Sequence, residues 1–470
     1  MRSNYLGKIL CFSGRVATLT RWMAFGFLLV SAPGRLGAQS TLMDAFNPLG
    51  NAPNGIHLYG VSLFAGWEST VNPQGGLALP GRQLKGDGMF GGGASMGWAH
   101  SRGKYQLSIG YSANYAGQIR YSDLSALNHS LIISTGRRFG SKWDLGFSGS
   151  ANLSTFDQML FTPTLFGEMV AAPGSFDDLA AAVLAGKYSN GQLASLLTGA
   201  PPIESPAATA LFGDRIFSSA LSTSLTYAHS QRLTVSFSAS AGRAQALKDG
   251  RPQTVSQPAR VVPSAIGAGA GVSVSYSLTP RTQIGVSGST SRGFSQIEQT
   301  YATSTSAFVG RTISRHWFAQ GYAGSGFVTY LGSHHGGSIG TAPIFGGSLG
   351  YKMRAHTFMG AYSRTLSQSY GVGAAHAAST NVAWNWQPVG RPWGVNSSYM
   401  REQLTGGSFG GVNGWRASFG IGRNIGRQMG IQTSYSYGYY AMHTALVPYD
   451  SAQHAIRVSL SWMPAGERRR

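Results

Sequence analysis

The stretch GKYQLSIGYSANYAG, Gly103 to Gly117, alternates with a period of two. Tyr105, Leu107, Ile109, Tyr111, Ala113 and Tyr115 share one parity; Gln106, Ser108, Gly110, Ser112 and Asn114 share the other. Period two describes a β-strand with one apolar and one polar face. In a soluble sheet the apolar face packs on a core. In a membrane barrel it meets lipid, and the polar face lines a lumen.

Composition favours the second arrangement. Of 470 residues 66 are Gly, and charged residues make up only 11%, under half the usual share of about 25%. A mean hydropathy of -0.06 does not fit a multi-helix membrane protein. Scarce charge, neutral hydropathy and abundant Gly, Ser and aromatics suit a barrel whose two faces cancel on average. The only apolar block is WMAFGFLLVSA, Trp22 to Ala32, preceded by Arg15 and Arg21 and followed by Leu36-Gly37-Ala38. That pattern predicts a secretory signal peptide over 1–38, cut after Ala38. Cleavage would remove the single cysteine, Cys11, and five cations, lowering the net charge from +20 to +15.

The opening stretch has echoes. SKWDLGFSGSANL from Ser141, QRLTVSFSASAG from Gln231, PRTQIGVSGSTS from Pro280 and SRHWFAQGYAGSG from Ser314 each follow a short basic turn. RAHTFMGAYS from Arg354, GRPWGVNSSYM from Gly390 and GRQMGIQTSYSYGYY from Gly426 do the same. Longer, more variable loops lead into LSTSLTYA, GVSVSYSL, FGGSLGYKM and GWRASFGIG. Short turns on one rim and long loops on the other predict an all-β, transmembrane, antiparallel up-and-down barrel over 56–464. About eighteen strands are expected, with sixteen as the alternative. A short extension, 39–55, precedes it and a basic tail, 465–470, follows. Both termini would be periplasmic. Trp98, Trp143, Trp317, Trp386, Trp393 and Trp462 all fall near short turns or the C-terminus, as an interfacial girdle would. Tyr435, Tyr437 and Tyr439 would belong to the opposite girdle. A soluble sandwich would need several domains with linkers, and a β-solenoid shorter repeats; neither pattern is present.

One loop, 157–215, interrupts the rhythm. Within it Ser175 to Leu197 has helical spacing: Ser175 and Asp178 form a capping box, and Phe176, Leu179, Val183 and Leu184 share a face. Such a helix could enter the lumen as a constriction, cap the mouth or pack on other loops.

Candidate chemistry is sparse. The acids are scattered, His334-His335 stand in a Gly/Ser loop, and the glycine runs at Gly91 and Gly267 lack the lysine of a phosphate loop. No catalysis, metal or cofactor is expected. Parity assigns Lys352, Arg416 and Arg457 to the inward face with the polar Gln106, Ser108, Ser112 and Asn114, because charge on the lipid face near the midplane costs about 2–4 kcal/mol. Asp144 is the clearest inward acid. Excess inward cations would favour anions. Cations at the turns, including Arg137, Arg138 and Arg281, would contact headgroups or solvent.

In layout the chain resembles bacterial outer-membrane porins. Its strand count and basic interior resemble the substrate-specific channels for sugars and small anions, and the export barrels of anionic exopolysaccharides. HAIRVSLSWM from His454 resembles the terminal aromatic strand that barrel-insertion machinery reads, although MPAGERRR follows it. The resemblance implies a passive outer-membrane channel for small hydrophilic, anionic solutes. Export of an exopolysaccharide with periplasmic partners, or a structural or adhesive barrel, are the alternatives. Expected partners are outer-membrane lipid, lipopolysaccharide, the insertion machinery and the solutes, with a homo-oligomer open and no nucleic acid.

Overall fold

The computed structural model describes residues 54–69, 86–120, 126–155, 215–246, 265–295, 299–331, 339–369, 373–388, 390–405, 411–426, 428–443 and 448–462. These form eighteen strands. The first six are β1 (Gly55–Glu68), β2 (Asp87–Arg102), β3 (Tyr105–Gln118), β4 (Ala126–Phe139), β5 (Trp143–Thr155) and β6 (Arg215–Ala228). Next come β7 (Leu233–Ala246), β8 (Ala265–Thr279), β9 (Thr282–Ser295), β10 (Gln299–Thr312), β11 (Trp317–Leu331) and β12 (Ile339–Met353). The last are β13 (His356–Ser369), β14 (Gly373–Trp386), β15 (Trp393–Thr405), β16 (Gly411–Ile425), β17 (Met429–His443) and β18 (Pro448–Trp462). Each pairs antiparallel with its sequence neighbours, and β1 pairs with β18. The sheet is therefore closed, with no free edge.

Closure answers which side of the opening stretch is wet. Tyr111 and Tyr115 are exposed on the outside of β3, while Ser108 is buried on the inner face and bonded to Ser134 Oγ of β4 at 2.7 Å. The same sorting runs round the wall: Leu63 is 58%, Val286 56% and Leu221 54% exposed, all pointing outward. A soluble protein could not carry such a belt, whereas lipid covers it at no cost. The molecule is a transmembrane β-barrel of the outer-membrane type, all-β in its described residues. No described helix is long and apolar enough to cross a membrane. The loop helix expected over 175–197, with Ser175, Asp178, Leu179, Val183 and Leu184, lies outside the described residues.

Eight short turns close one rim. Several turn on a residue in the left-handed region, as at Gly103 (φ 59°), Gly140 (φ 60°) and Gly426 (φ 72°), which a side chain disfavours. Arg354 (φ 46°) takes that role without being glycine. Hydrogen-bonded rows do not run level. From Trp143 at the short-turn end of β5, pairing leads through Tyr227 to Val235, two residues above the end of β7. From Trp317 it leads through Tyr351 to Phe358, two above the end of β13. Rows thus climb about one residue per strand, the stagger of tilted strands in a closed barrel.

Candidate functional site: the interior face

Small polar residues dominate the inner face, and several of them pair across neighbouring strands. Ser287 meets Ser306 at 2.8 Å, Ser289 meets Ser304 at 2.8 Å, and Ser363 meets Ser379 at 2.7 Å. Each pair joins inward positions on neighbouring strands, so the hydroxyls are bonded along the wall. Gln106, Ser108, Ser112 and Asn114 lie on this face of β3, opposite in parity to exposed Tyr111 and Tyr115.

Larger inward rings are accommodated by cross-strand glycines. Phe64 lies over Gly91, Phe308 over Gly285, Phe318 over Gly350 and Tyr322 over Gly346, each directly opposite its partner in register. A Cβ built on any of these four glycines would come within 2.8 Å of the ring. The rings therefore lie flat along the wall. Parity alone marks these four aromatics as inward, and register fixes each ring above a glycine.

Inward charges follow from parity. Lys352 is opposite in parity to exposed Leu349 and Met353, Arg416 to Phe419 and Ile421, and Arg457 to Val458 and Leu460. Arg138 also faces inward, directly opposite Asp144. Its place beside a turn predicts a headgroup contact, yet a doublet of strand residues must face opposite ways, and its neighbour Arg137 lies outside over Phe139 at 4.8 Å. Three further acids are inward: Glu68, Asp87 and Glu402, in strands rather than in loops. Among the described strand residues, inward cations and acids are thus equal in number, and the expected excess of cations is absent from the count.

Exposure breaks the tie. Glu68 is 7% and Asp87 5% exposed. Glu68 accepts from Gln118 Nε2 (2.8 Å) through Oε1 and from Gln453 Nε2 (3.1 Å) through Oε2. Gln453 Oε1 in turn accepts from Arg416 Nη2 at 3.2 Å, so one amide links the acid of β1 to the cation of β16 across the β1–β18 seam. Asp87 takes the backbone N–H of Arg120 on both oxygens (3.0 and 2.8 Å) and that of Gly88 at 2.8 Å. Both carboxylates are thus shielded and engaged. Arg138, Lys352 and Arg457 are exposed on the inner face, against Asp144 alone among the acids, with Arg416 and Glu402 half-buried.

Arg457 is the tenth of fifteen residues in β18, away from either end. Its guanidinium lies over the Phe64 ring at 4.8 Å and its Nη2 points to Met89 Sδ at 3.6 Å. Phe64 rests on Gly91, so glycine, ring and guanidinium form a stack that holds the cation off the wall. The structure brings Arg416 and Arg457 onto one arc, two strands apart; Lys352 stands at the short-turn end of β12, elsewhere on the circumference. No group of three or more His, Cys, Asp or Glu able to hold a metal occurs among the described residues.

No protein-family model matches the chain, and no curated protein matches it. Solved structures similar to it include the outer membrane protein opdK from Pseudomonas aeruginosa, with a TM-score of 0.43 and 11% identity over 87% of this chain and 99% of that one. OccAB3 of Acinetobacter baumannii gives 0.41 and 9% over 86% and 98%. Pseudomonas aeruginosa OccK2 (OpdF), solved in complex with glucuronate, gives 0.41 and 10% over 87% and 98%. The strand count and closure stand on the pairing described above.

Proposed function

We propose that the protein is an outer-membrane channel of porin type for the passive passage of small hydrophilic solutes, with a preference for anions. In this reading 1–38 is a signal peptide, the short-turn rim is periplasmic and the long connections are extracellular. No bond is made or broken; selection comes from width and wall charge. One observation carries the anion preference: Arg457 is exposed on the inner face part-way along its strand, while the nearest acids, Glu68 and Asp87, are buried and hydrogen-bonded. An exposed guanidinium raises the local anion concentration and repels cations. Lys352 and Arg416 add to it as further pore-lining cations, and Gln106, Ser108, Ser112 and Asn114 supply an uncharged polar lining.

The test is conductance of the refolded mature chain in a planar bilayer under a KCl gradient. A stable open level with a reversal potential on the chloride side is expected. Silence from a barrel shown to be folded would overturn the channel reading and leave a gated exporter or a structural barrel. The cysteine-free mature chain also permits a check on orientation. A single cysteine placed in 157–215 should react with an impermeant maleimide on intact cells, and one beside Gly103 should not.

A further inference from the structure

The outer face carries its own charges, and they are sorted. Among strand residues whose side chains are described, eight arginines have outward parity: Arg102, Arg137, Arg243, Arg292, Arg311, Arg364, Arg401 and Arg423. Arg243, Arg292, Arg364 and Arg401 lie within a few residues of the long-connection rim, and the other four lie at the short-turn rim. Among strand residues whose side chains are described, no acid faces outward. The two belts are set apart by the apolar band. Arg292 is opposite Tyr301 on β10, and Arg311 lies ten residues further down that strand. Ten residues of tilted strand span about 25 Å of height, the height of an outer-membrane apolar band.

The belt at the long-connection rim contains one geometry twice. From Arg243 pairing leads through Ile266 to Phe294, and Arg292 lies two residues below Phe294. From Arg364 it leads through Ala378 to Gln403, and Arg401 lies two residues below Gln403. That offset equals the climb of the hydrogen-bonded rows. Each pair therefore lies level in the membrane, about 12 Å apart by strand spacing and rise. Apolar or aromatic residues stand beside them: Arg292 lies over Phe294 at 4.6 Å, and Arg401 is opposite Trp415. Four guanidinium forks at the boundary of the hydrocarbon, with no outward acid among the described side chains to answer them, suit phosphate.

We infer that Arg243 with Arg292, and Arg364 with Arg401, form two seats for phosphate-bearing glycolipid headgroups of the outer leaflet. The leaflet rests on the orientation proposed above; the binding does not rest on conduction. The experiment measures thermal unfolding of the full mature barrel in phosphatidylcholine nanodiscs containing bis-phosphorylated lipid A or its dephosphorylated form. Phosphorylated lipid should raise the midpoint by several degrees over the dephosphorylated form. R243Q/R292Q and R364Q/R401Q should each lose about half of that rise, and the fourfold variant nearly all of it. The control R137Q/R311Q/R423Q, altered at the other belt, should keep at least the larger part. Equal midpoints with both lipids, or a fourfold variant that keeps the rise, would overturn the seats. So would a rise that disappears with the control instead. If a variant fails to fold, native mass spectrometry of the unaltered chain still decides: no phosphate-dependent retention of lipid A overturns the proposal. Conductance is not read, so failure of the channel reading would be seen separately.

Discussion

Two arcs of the inner wall differ in almost every respect except parity. From β5 to β9 the inward positions are Ser, Gly, Ala, Thr and Asn with little else, and Asp144 at the rim is the only charge. From β15 through the seam to β2 the same positions hold Glu402, Arg416, Gln453, Arg457, Glu68 and Asp87. The first arc pairs several of its hydroxyls across strands, as Ser148 with Ser222 and Thr226 with Ser236, and presents a neutral surface. The second ties its buried acids to amides and backbone and leaves a guanidinium exposed. A solute between them would meet a field directed across the bore, from one arc toward the other. Selectivity in such a wall depends on which charges reach the lumen and far less on how many the sequence contains.

The strongest way to break the contrast is Arg457→Glu. It reverses the exposed charge of the seam arc, and the chloride-over-potassium permeability ratio should fall roughly fivefold or more. Reversal potentials in a KCl gradient would show it. An unchanged ratio would place selectivity elsewhere. A second cut is Glu68→Ala, which leaves the Gln118 and Gln453 amide donors without their shared acceptor. Its unfolding midpoint in urea should drop by the equivalent of about 1–3 kcal/mol, and Glu68→Gln, which keeps an acceptor oxygen, should lose less. Equal stability of E68A and the unaltered chain would mean that the link across the seam carries no weight. The smallest effect belongs to the neutral arc. Ser287→Ala should cost about 0.5–1.5 kcal/mol through the lost bond to Ser306, with the permeability ratio unmoved. A shift in that ratio would show that the serine arc also selects.

The fold was legible because its governing pattern is local. Tyr105 to Tyr115 states its two faces without reference to any other strand, and the glycines at 103, 140 and 426 mark turns that require them. Facing could be read in the same way for Lys352, Arg416 and Arg457. What those cations touch could not. Phe64, on which Arg457 rests, comes from the first strand and Arg457 from the last, and only closure sets them in register. The two glutamines on Glu68 come from β3 and β18, so the burial of that acid has no local signature. Arg138 shows the opposite case: the doublet Arg137-Arg138 already implied that one of the two faces inward, but proximity to a turn obscured it.

The climb of about one residue per strand also sets a size. A rise of about 3.3 Å against a step of about 4.8 Å inclines the strands by about 35° and stretches eighteen of them around a perimeter of about 105 Å. A ring of that perimeter is about 33 Å across from backbone to backbone. Serines and glycines on one arc, and a few long side chains on the other, cover a small part of that span. The strands therefore act as the frame of a window, and the described side chains leave it far wider than one small solute.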